Sequence, residues 1–181
     1  MGELVLPIVG DLVVLRALSL EDLVDHTRLF SDPNVLSYLY EEQMDEAAMH
    51  THLEGRLPAR LPEEGQWLNL AVTLPDGTYI GEVGLGLTSA QHRQGEIGYV
   101  FDPAYGGQGL ATEAARLMVS LGFSSLGAHR ITGRLDARNQ RSARLLERIG
   151  MRREALLKQN EFVKGEWTDE LVYAVLAEEW L

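Results

Sequence analysis

The chain has 181 residues, a length typical of one domain with a sizeable core, and its hydrophobic fraction of 45% is ordinary for a globular protein. It has no cysteine, which excludes disulfides, thiolate metal ligands and a cysteine nucleophile and is consistent with a cytoplasmic protein. The net charge of -11 argues against a nucleic-acid partner. No apolar run approaches the roughly 20 residues of a membrane span, and we expect no signal peptide.

The first third of the chain predicts one strand and two helices. Leu12–Leu15 is an apolar run typical of a strand. Ser19 and Asp22 are spaced as in a capping box, so a helix is expected to begin there. Residues 31–34 carry the breaking signals that end this helix, and residues 44–57 predict a second one.

The middle of the chain predicts a hairpin, a further strand and a helix. Residues 67–74 alternate between apolar and other side chains, and residues 83–87 alternate with glycines. The apolar strand Ile97–Phe101 leads into a glycine-dense loop at residues 103–109. The helix after the loop carries a core-facing stripe at helical spacing, formed by Leu110, Ala114, Leu117, Met118 and Leu121.

The last third predicts alternating strands and one more helix. Residues 130–136 alternate as a strand, and residues 140–149 form a helix that Gly150 closes. Two strands follow, at residues 154–162 and 171–176. This order of elements predicts an α+β (α/β layered) domain, with a mixed sheet and helices on its faces, and we expect one domain over the whole chain.

The glycine loop predicts a binding site for a phosphorylated ligand. The first N–H groups of a helix lack internal partners, and the helix dipole makes that end partly positive. Glycines at positions 106, 107 and 109 let a ligand approach the backbone. No Gly-Lys-Ser/Thr follows, which excludes a P-loop, and Thr112 stands where a dinucleotide fingerprint needs a third glycine. From the loop alone, a tight turn without a ligand stays open.

A basic segment follows the loop. Residues 130–153 contain eight arginines and only Asp136 and Glu147 as acids. Such a segment beside a phosphate-type loop suits an anionic ligand, and the acidic remainder of the chain suits a cationic partner. A solvated helix face is the alternative for about half of these arginines.

Three segments in this order resemble the GNAT superfamily of N-acetyltransferases. The strand and loop that lead into Ala111–Ala114 resemble its motif A, and Leu135–Met151 resembles its next strand and helix. The ending Gly165–Tyr173 looks like the RimJ/RimL-like branch of ribosomal-protein N-terminal acetyltransferases. The resemblance implies a central, mostly antiparallel mixed sheet with helices on both faces. It also implies acetyl-CoA as donor and a primary amine as acceptor, with a protein N-terminal α-amine favoured. Gly106 departs from the family pattern, which has Arg or Gln there.

The donor is expected to bind along the loop and the strand before it. Backbone N–H groups of the loop can bind a pyrophosphate, and pantetheine can pair with the edge of Ile97–Phe101 as peptides do. Asn139 can hold a pantetheine amide or cap its helix, and it can do both. The candidate donor-binding residues are Val100, Phe101, Gly107, Gln108, Gly109, Leu110, Ala111, Thr112, Asn139 and Ser142.

The candidate catalytic residues are Glu96 and Ser142. Glu96 is the first candidate for a general base, directly or through water, and Glu82, Glu161 and Asp169 are weaker candidates. By family analogy Ser142 protonates the leaving thiolate, although a hydroxyl bonded back to its own helix is the alternative.

The amine must be neutral to attack, which favours an α-amine. An α-amine is roughly 10–15% neutral at pH 7, against roughly 0.04% for a lysine amine. We expect direct transfer without an acyl-enzyme, because there is no cysteine and no Ser-His-Asp arrangement. The five histidines show no metal spacing, so no metal is expected. A small amine acceptor such as an aminoglycoside or polyamine, a non-catalytic acyl-CoA-binding domain, a nucleotide-binding module and a homodimer stay open.

Overall fold

In the computed structural model, which describes residues 3–180, eight strands form one sheet in the order β1-β2-β3-β4-β5-β6-β8-β7. Only β5 and β6 pair in parallel, and every other neighbouring pair is antiparallel. The predicted mixed, mostly antiparallel sheet is therefore confirmed. The strands are β1 (Ile8–Val9), β2 (Val14–Ala17), β3 (Trp67–Thr73), β4 (Tyr79–Ser89), β5 (Gln94–Phe101), β6 (Arg130–Asp136), β7 (Arg152–Val163) and β8 (Glu166–Leu176).

Helices cover both faces of the sheet. The five α-helices are α1 (Leu23–Phe30), α2 (Pro33–Leu36), α3 (Glu46–Glu54), α4 (Leu110–Ser124) and α5 (Gln140–Arg148). α4 and α5 pack on one face, and α1 and α3 pack on the other. Side chains alternate between these two faces along each strand, so the α4–α5 face and the α1–α3 face carry different residues. No helix in the described part of the chain is long and apolar enough to span a membrane.

The predicted elements agree with the structure except near the N-terminus, at some element ends and at α2, a short helix that was not predicted. The short strand β1 was not predicted, and β2 begins at Val14, two residues later than expected. Asp22 does accept a hydrogen bond from the backbone N–H of Ser19, but the turn that follows is a short 3-10 helix ahead of α1. The apolar stripe of α4 is buried at Leu110, Ala114, Met118 and Leu121, and Leu117 is half-buried.

One carboxylate fastens the N-terminal strands to α4. Glu113 lies in the first turn of α4 and accepts hydrogen bonds from the backbone N–H groups of Asp11, Leu12 and Val13, at 2.8–2.9 Å. These three residues join β1 to β2, and they lie about 100 positions away in the chain. The contact therefore holds the edge of the sheet against the helix start that follows the glycine loop.

The sheet divides at its centre. β5 and β6 pair only from Gln94 opposite Arg130 to Ile97 opposite Gly133. Beyond that point β5 continues to Phe101 and stays paired with β4, while β6 continues to Asp136 and stays paired with β8. Residues 98–101 and 134–136 therefore bound a gap, here called the strand opening, and each side of it exposes an unpaired backbone edge.

Candidate active site

A cleft of about 1960 Å³ runs through the strand opening. On the α4–α5 face it is lined by the glycine loop, the first turn of α4 and one side of α5. On the α1–α3 face it is lined by residues of β3, β7 and β8 and by the chain around α3. The cleft thus connects a helix N-terminus on one side of the sheet with a separate set of side chains on the other.

The glycine loop presents unpaired backbone N–H groups to this cleft. Gly107 and Gly109 have φ angles of 82° and 84°, in the left-handed region that glycine adopts without strain. Gly106 has an ordinary φ of -68°, so the backbone itself does not demand glycine there. Among the described residues, the N–H groups of 107–112 have no acceptor. Such a row of free donors at a helix start is a typical anion site.

Nearly all predicted donor-binding residues lie along the cleft. Val100, Phe101, Asn139 and Ser142 line it together with the loop and the start of α4, whereas Gln108 is exposed and its side chain does not. Asn139 caps α5, because its Oδ1 accepts from the backbone N–H of Ser142 at 3.1 Å. The capping alternative for Asn139 is therefore present in the structure.

Ser142 is hydrogen-bonded to a tyrosine that the sequence analysis missed. The hydroxyls of Tyr99 and Ser142 lie 2.7 Å apart, and either can donate. The Tyr99 hydroxyl also lies 3.3 Å from the carbonyl oxygen of Ser142. Burial raises the pKa of Tyr99, so its phenol stays neutral and can donate a hydrogen bond. The only signal in the sequence is the position of Tyr99 in β5, two residues before Phe101 on the same face.

Glu96 lies on the opposite side of the sheet from Tyr99. It is half-buried on β5, opposite Gly86 of β4 and Thr132 of β6, one position before the last β5–β6 pair at the strand opening. Within residues 3–180, no hydrogen bond or ion pair engages its carboxylate. Burial raises the pKa of Glu96 and the charge of Glu170 adds to this, while Arg134 opposes it. A carboxylate with a raised pKa accepts a proton more readily than an exposed one.

The neighbouring acids of the cleft are engaged to different degrees, and Asp169, which alternates with Glu170 along β8, lies on the other face of the sheet. Glu170 is buried, and its carboxylate accepts hydrogen bonds from the guanidinium of Arg134 at 2.9 and 2.6 Å and from the side-chain amide of Asn160 at 2.9 Å. Asp169 is paired with Lys158 at 2.7 Å, and this hydrogen bond lowers its pKa. Glu161 accepts only from the side chain of the neighbouring asparagine, at 3.2 Å. Glu96 and Glu161 are therefore the acids here without a cationic partner among the described residues.

Glu82 is the end of a buried hydrogen-bond chain. It is 3% exposed, and its Oε1 contacts Nδ1 of His26 at 2.5 Å and accepts from Tyr79 at 2.7 Å. His26 is fully buried, and its Nε2 lies 2.9 Å from Nδ1 of His52. The other ring nitrogen of His52, Nε2, lies 3.0 Å from a guanidinium nitrogen of Arg56. Because arginine can only donate, every hydrogen in this chain points toward Glu82 when both histidines are neutral. Glu82 is thus held as an acceptor within the packing of α1 and α3.

Four of the eight arginines of the basic segment are in ion pairs, and these four lie outside α5. The paired ones are Arg130 with Glu154, Arg134 with Glu170, Arg138 with Asp136 and Glu166, and Arg152 with Glu154 and Glu179. Arg141, Arg144 and Arg148 follow helical spacing along α5, are exposed and line the cleft. Across the described ranges, none of these three is within salt-bridge distance of an acid. These three arginines leave unpaired positive charge in the cleft that the glycine loop also lines.

No group of three or more His, Asp or Glu in residues 3–180 has metal-binding geometry.

Comparison with known proteins agrees with this geometry. Residues 13–152 match the family model of the acetyltransferase (GNAT) domain. The chain is 44% identical to YnaD, an N-acetyltransferase of Bacillus subtilis, over 85 residues, which are 47% of this chain and 50% of YnaD. It is 27% identical to the N-acetyltransferase p20 of Bacillus licheniformis over 93% of this chain and 94% of p20. It is 25% identical to spermidine N(1)-acetyltransferase of Escherichia coli over 93% of this chain and 88% of that enzyme.

Solved structures show the same architecture. A GNAT-family acetyltransferase from Bacillus anthracis superposes with a TM-score of 0.86 at 30% identity, over 96% of this chain and 100% of that one. RimJ of Mycobacterium smegmatis, solved with CoA-disulfide, gives a TM-score of 0.80 at 27% identity, over 92% and 83%. With the family model covering most of its length, the chain belongs to the GNAT family of acetyl-CoA-dependent N-acetyltransferases.

Proposed function

We propose that this enzyme transfers the acetyl group of acetyl-CoA to the α-amine of a protein N-terminus, by direct attack in a ternary complex. The observation that carries the proposal is the strand opening. It joins a helix N-terminus with free N–H groups on one face to an unpaired carboxylate, Glu96, on the other. Donor and acceptor can therefore reach the same point from opposite sides of the sheet.

The donor is held by backbone groups. The free N–H groups of residues 107–112 bind the pyrophosphate, and each charge-assisted bond contributes about 1.5–3 kcal/mol. The hydroxyl of Thr112, which lines the cleft, adds a further donor. The unpaired edge of β5 accepts the pantetheine amides, with the thioester near Val100 and Phe101 and with Asn139 able to add an amide contact.

Glu96 prepares the amine. Its raised pKa keeps the carboxylate basic enough to accept the proton of the attacking amine, directly or through one water molecule. The nitrogen then forms a bond to the carbonyl carbon of the thioester, and the carbon–sulfur bond breaks. No side chain of the enzyme becomes acetylated during the reaction, so the acetyl group passes from one substrate to the other in a single chemical step.

Ser142 and Tyr99 act together at the leaving group. Their hydroxyls are 2.7 Å apart on the α4–α5 face, beside the unpaired edge of β5. The thiolate takes a proton from one of the two hydroxyls, and the other supports the oxygen that has lost it. This pairing extends the predicted role of Ser142 to a pair of residues.

A small cationic amine is the second candidate acceptor. The acids on the α1–α3 face favour it, because Glu96 and Glu161 have no cationic partner in the described part of the chain. Similarity supports both candidates, since RimJ and a spermidine acetyltransferase are among the similar proteins. A domain that binds acyl-CoA without catalysis is the remaining alternative. In such a domain the unpaired carboxylate of Glu96 would have no function.

An acceptor screen tests the proposal. The enzyme is incubated with acetyl-CoA and with N-terminal peptides, polyamines or aminoglycosides, while free thiol and the acceptor mass are followed. We expect acetylation of α-amines at the greatest kcat/KM. Turnover of small amines alone would replace the first candidate by the second. CoA binding with no acetylated amine would instead indicate a non-catalytic domain.

The variant Glu96→Gln tests the base. The wild-type rate rises with pH as Glu96 loses its proton, so the variant is expected to lose this limb and about 10²–10⁴-fold in kcat. Glu161→Gln is the matched control, because it removes a neighbouring unpaired carboxylate and is expected to keep the limb. Full activity of Glu96→Gln across pH 6–9 would remove Glu96 as the base.

A further inference from the structure

Trp67 lies on a floor of three glycines inside the cleft. It is on β3, and a methyl group added at Gly86 would lie 2.7 Å from its Cε2 atom. Methyl groups at Gly84 and Gly98 would lie 3.2 and 3.3 Å from carbons of its six-membered ring. The three glycines belong to β4 and β5, so the indole extends across two neighbouring strands. Side chains at these positions would displace the ring.

In residues 3–180, no hydrogen bond, aromatic or cation–π contact engages the opposite face of the indole. Trp67 is 43% exposed although it lines the cleft, because one ring face rests on the glycines and the other faces the cleft. Glycine within a strand weakens the sheet, and it often marks a close approach of a ligand or a ring. Here the three glycines leave a large aromatic surface available instead of burying it in a core.

The ring lies where acetyl transfer would occur. Gly98 is the first residue of β5 beyond the last pair with β6, and the outer edge of the six-membered ring lies against it. Glu96 is two residues earlier on the same face and pairs in register with Gly86, which lies under the ring. The aromatic face and the unpaired carboxylate therefore border the same point of the strand opening.

Further groups on this face favour positive charge. Tyr40 is 65% exposed, and partial desolvation together with the charges of Glu161 and Glu170 raises its pKa, while the charge of Arg134 opposes this. Tyr40 lines the same cleft as these two carboxylates. An aromatic ring bordered by carboxylates is an arrangement that binds alkylammonium groups, through cation–π attraction and contact with the alkyl chain.

We propose that the free face of Trp67 binds the alkyl chain of the acceptor, and that this chain carries positive charge beyond the reacting amine. The inference rests on the proposed acetyl transfer and names the class of its acceptor. Two sources share this chemistry, a free polyamine and a peptide N-terminus followed by basic side chains. In both, the ring holds the chain while Glu96 faces the reacting nitrogen.

Substitution of the ring tests the proposal. Trp67→Leu keeps an apolar surface but removes the π face, so it is expected to raise the KM of cationic acceptors by roughly 5- to 30-fold. The KM of acetyl-CoA is expected to stay within about twofold, since that site lies on the other face. Gly86→Ala, whose methyl group displaces the ring, is expected to raise the acceptor KM in the same direction. Trp167→Leu is the matched control, because this tryptophan is exposed outside the cleft, on the hairpin of β7 and β8.

The acceptor series separates the possible outcomes. It includes polyamines, peptides with a basic or a neutral residue after the N-terminus, and neutral alkyl amines of equal length. A larger effect of Trp67→Leu on the cationic members supports the proposal, and the better cationic member identifies the source. An equal loss for neutral amines, or an unchanged acceptor KM, would overturn it.

Binding without catalysis is measured separately. Tryptophan fluorescence of the CoA-bound enzyme is expected to change on addition of a cationic acceptor, and Trp67→Leu is expected to abolish this change. A fluorescence change without acetyl transfer would retain the binding surface and refute only the transferase function. No change in the wild-type enzyme would refute the binding surface itself.

Discussion

The contact between Glu113 and the N-terminal strands gives the most quantitative prediction. Three backbone N–H groups, those of Asp11, Leu12 and Val13, donate to this one carboxylate at 2.8–2.9 Å. A hydrogen bond to a charged group contributes about 1.5–3 kcal/mol, and the two bonds at exposed residues are worth less. Glu113→Ala is therefore expected to lower the free energy of unfolding by about 3 kcal/mol. For a chain of this length that corresponds to a decrease in Tm of about 6–12 °C.

Thermal and urea unfolding followed by circular dichroism measure this effect. Glu113→Gln keeps one acceptor oxygen and is expected to fall between the wild type and the alanine variant. Glu46→Ala is the matched control, because Glu46 also lies in the first turn of a helix, α3, but is exposed and makes no tertiary hydrogen bond among the described residues. If Glu113→Ala lowered Tm no more than Glu46→Ala, the carboxylate would not fasten the N-terminal strands.

Three further predictions concern the cleft. Tyr99→Phe is expected to lower kcat by about 10–100-fold, and the double variant with Ser142→Ala to lose little more, as measured by initial rates. Additive losses would show that the two hydroxyls act separately. Arg144→Ala is expected to weaken CoA binding by about 3–10-fold and to reduce its salt dependence in calorimetry, because an unpaired cation near the loop is lost. An unchanged affinity would place this arginine outside the donor site. Glu82→Leu leaves the buried N–H of His26 unsatisfied and is expected to lower stability by about 1–3 kcal/mol in urea unfolding. If this variant were as stable as the wild type, the buried hydrogen-bond chain that ends at Glu82 would not contribute to stability.

The strand, the glycine loop and the helix start that line the cleft were predictable because their signals are local. A strand, a glycine loop and a helix start lie within about twenty consecutive residues, and the positive φ angles of Gly107 and Gly109 agree with the glycines there. The apolar stripe of α4 likewise depends only on spacing along one helix. These features require no knowledge of how distant segments pack.

The missed features all join distant parts of the chain. Tyr99 meets Ser142 across 43 positions, and Glu113 meets the N-terminal strands across about 100. His26 was considered only as a possible metal ligand, whereas the structure connects it to Glu82 across 56 positions. No periodicity in the sequence predicts such contacts, because they arise from the order of strands in the sheet.

The α1–α3 side of the cleft was the least predictable for the same reason. Trp67 was predicted as the start of a strand, and the glycines of the next strand as one face of a hairpin. The packing of Trp67 on these glycines depends on the register that places the indole over Gly84 and Gly86. That register also brings Glu96 beside the ring, although both residues are ordinary in the sequence.

Acetyl transfer itself is the most direct test of the account. Purified enzyme, acetyl-CoA and an N-terminal peptide are mixed, and mass spectrometry follows the peptide while a thiol reagent follows CoA. We expect the mass of one acetyl group on the α-amine and one thiol per acetylated peptide. Glu96→Gln is expected to slow both signals equally. Failure to bind acetyl-CoA, with no amine acetylated, would contradict the central claim.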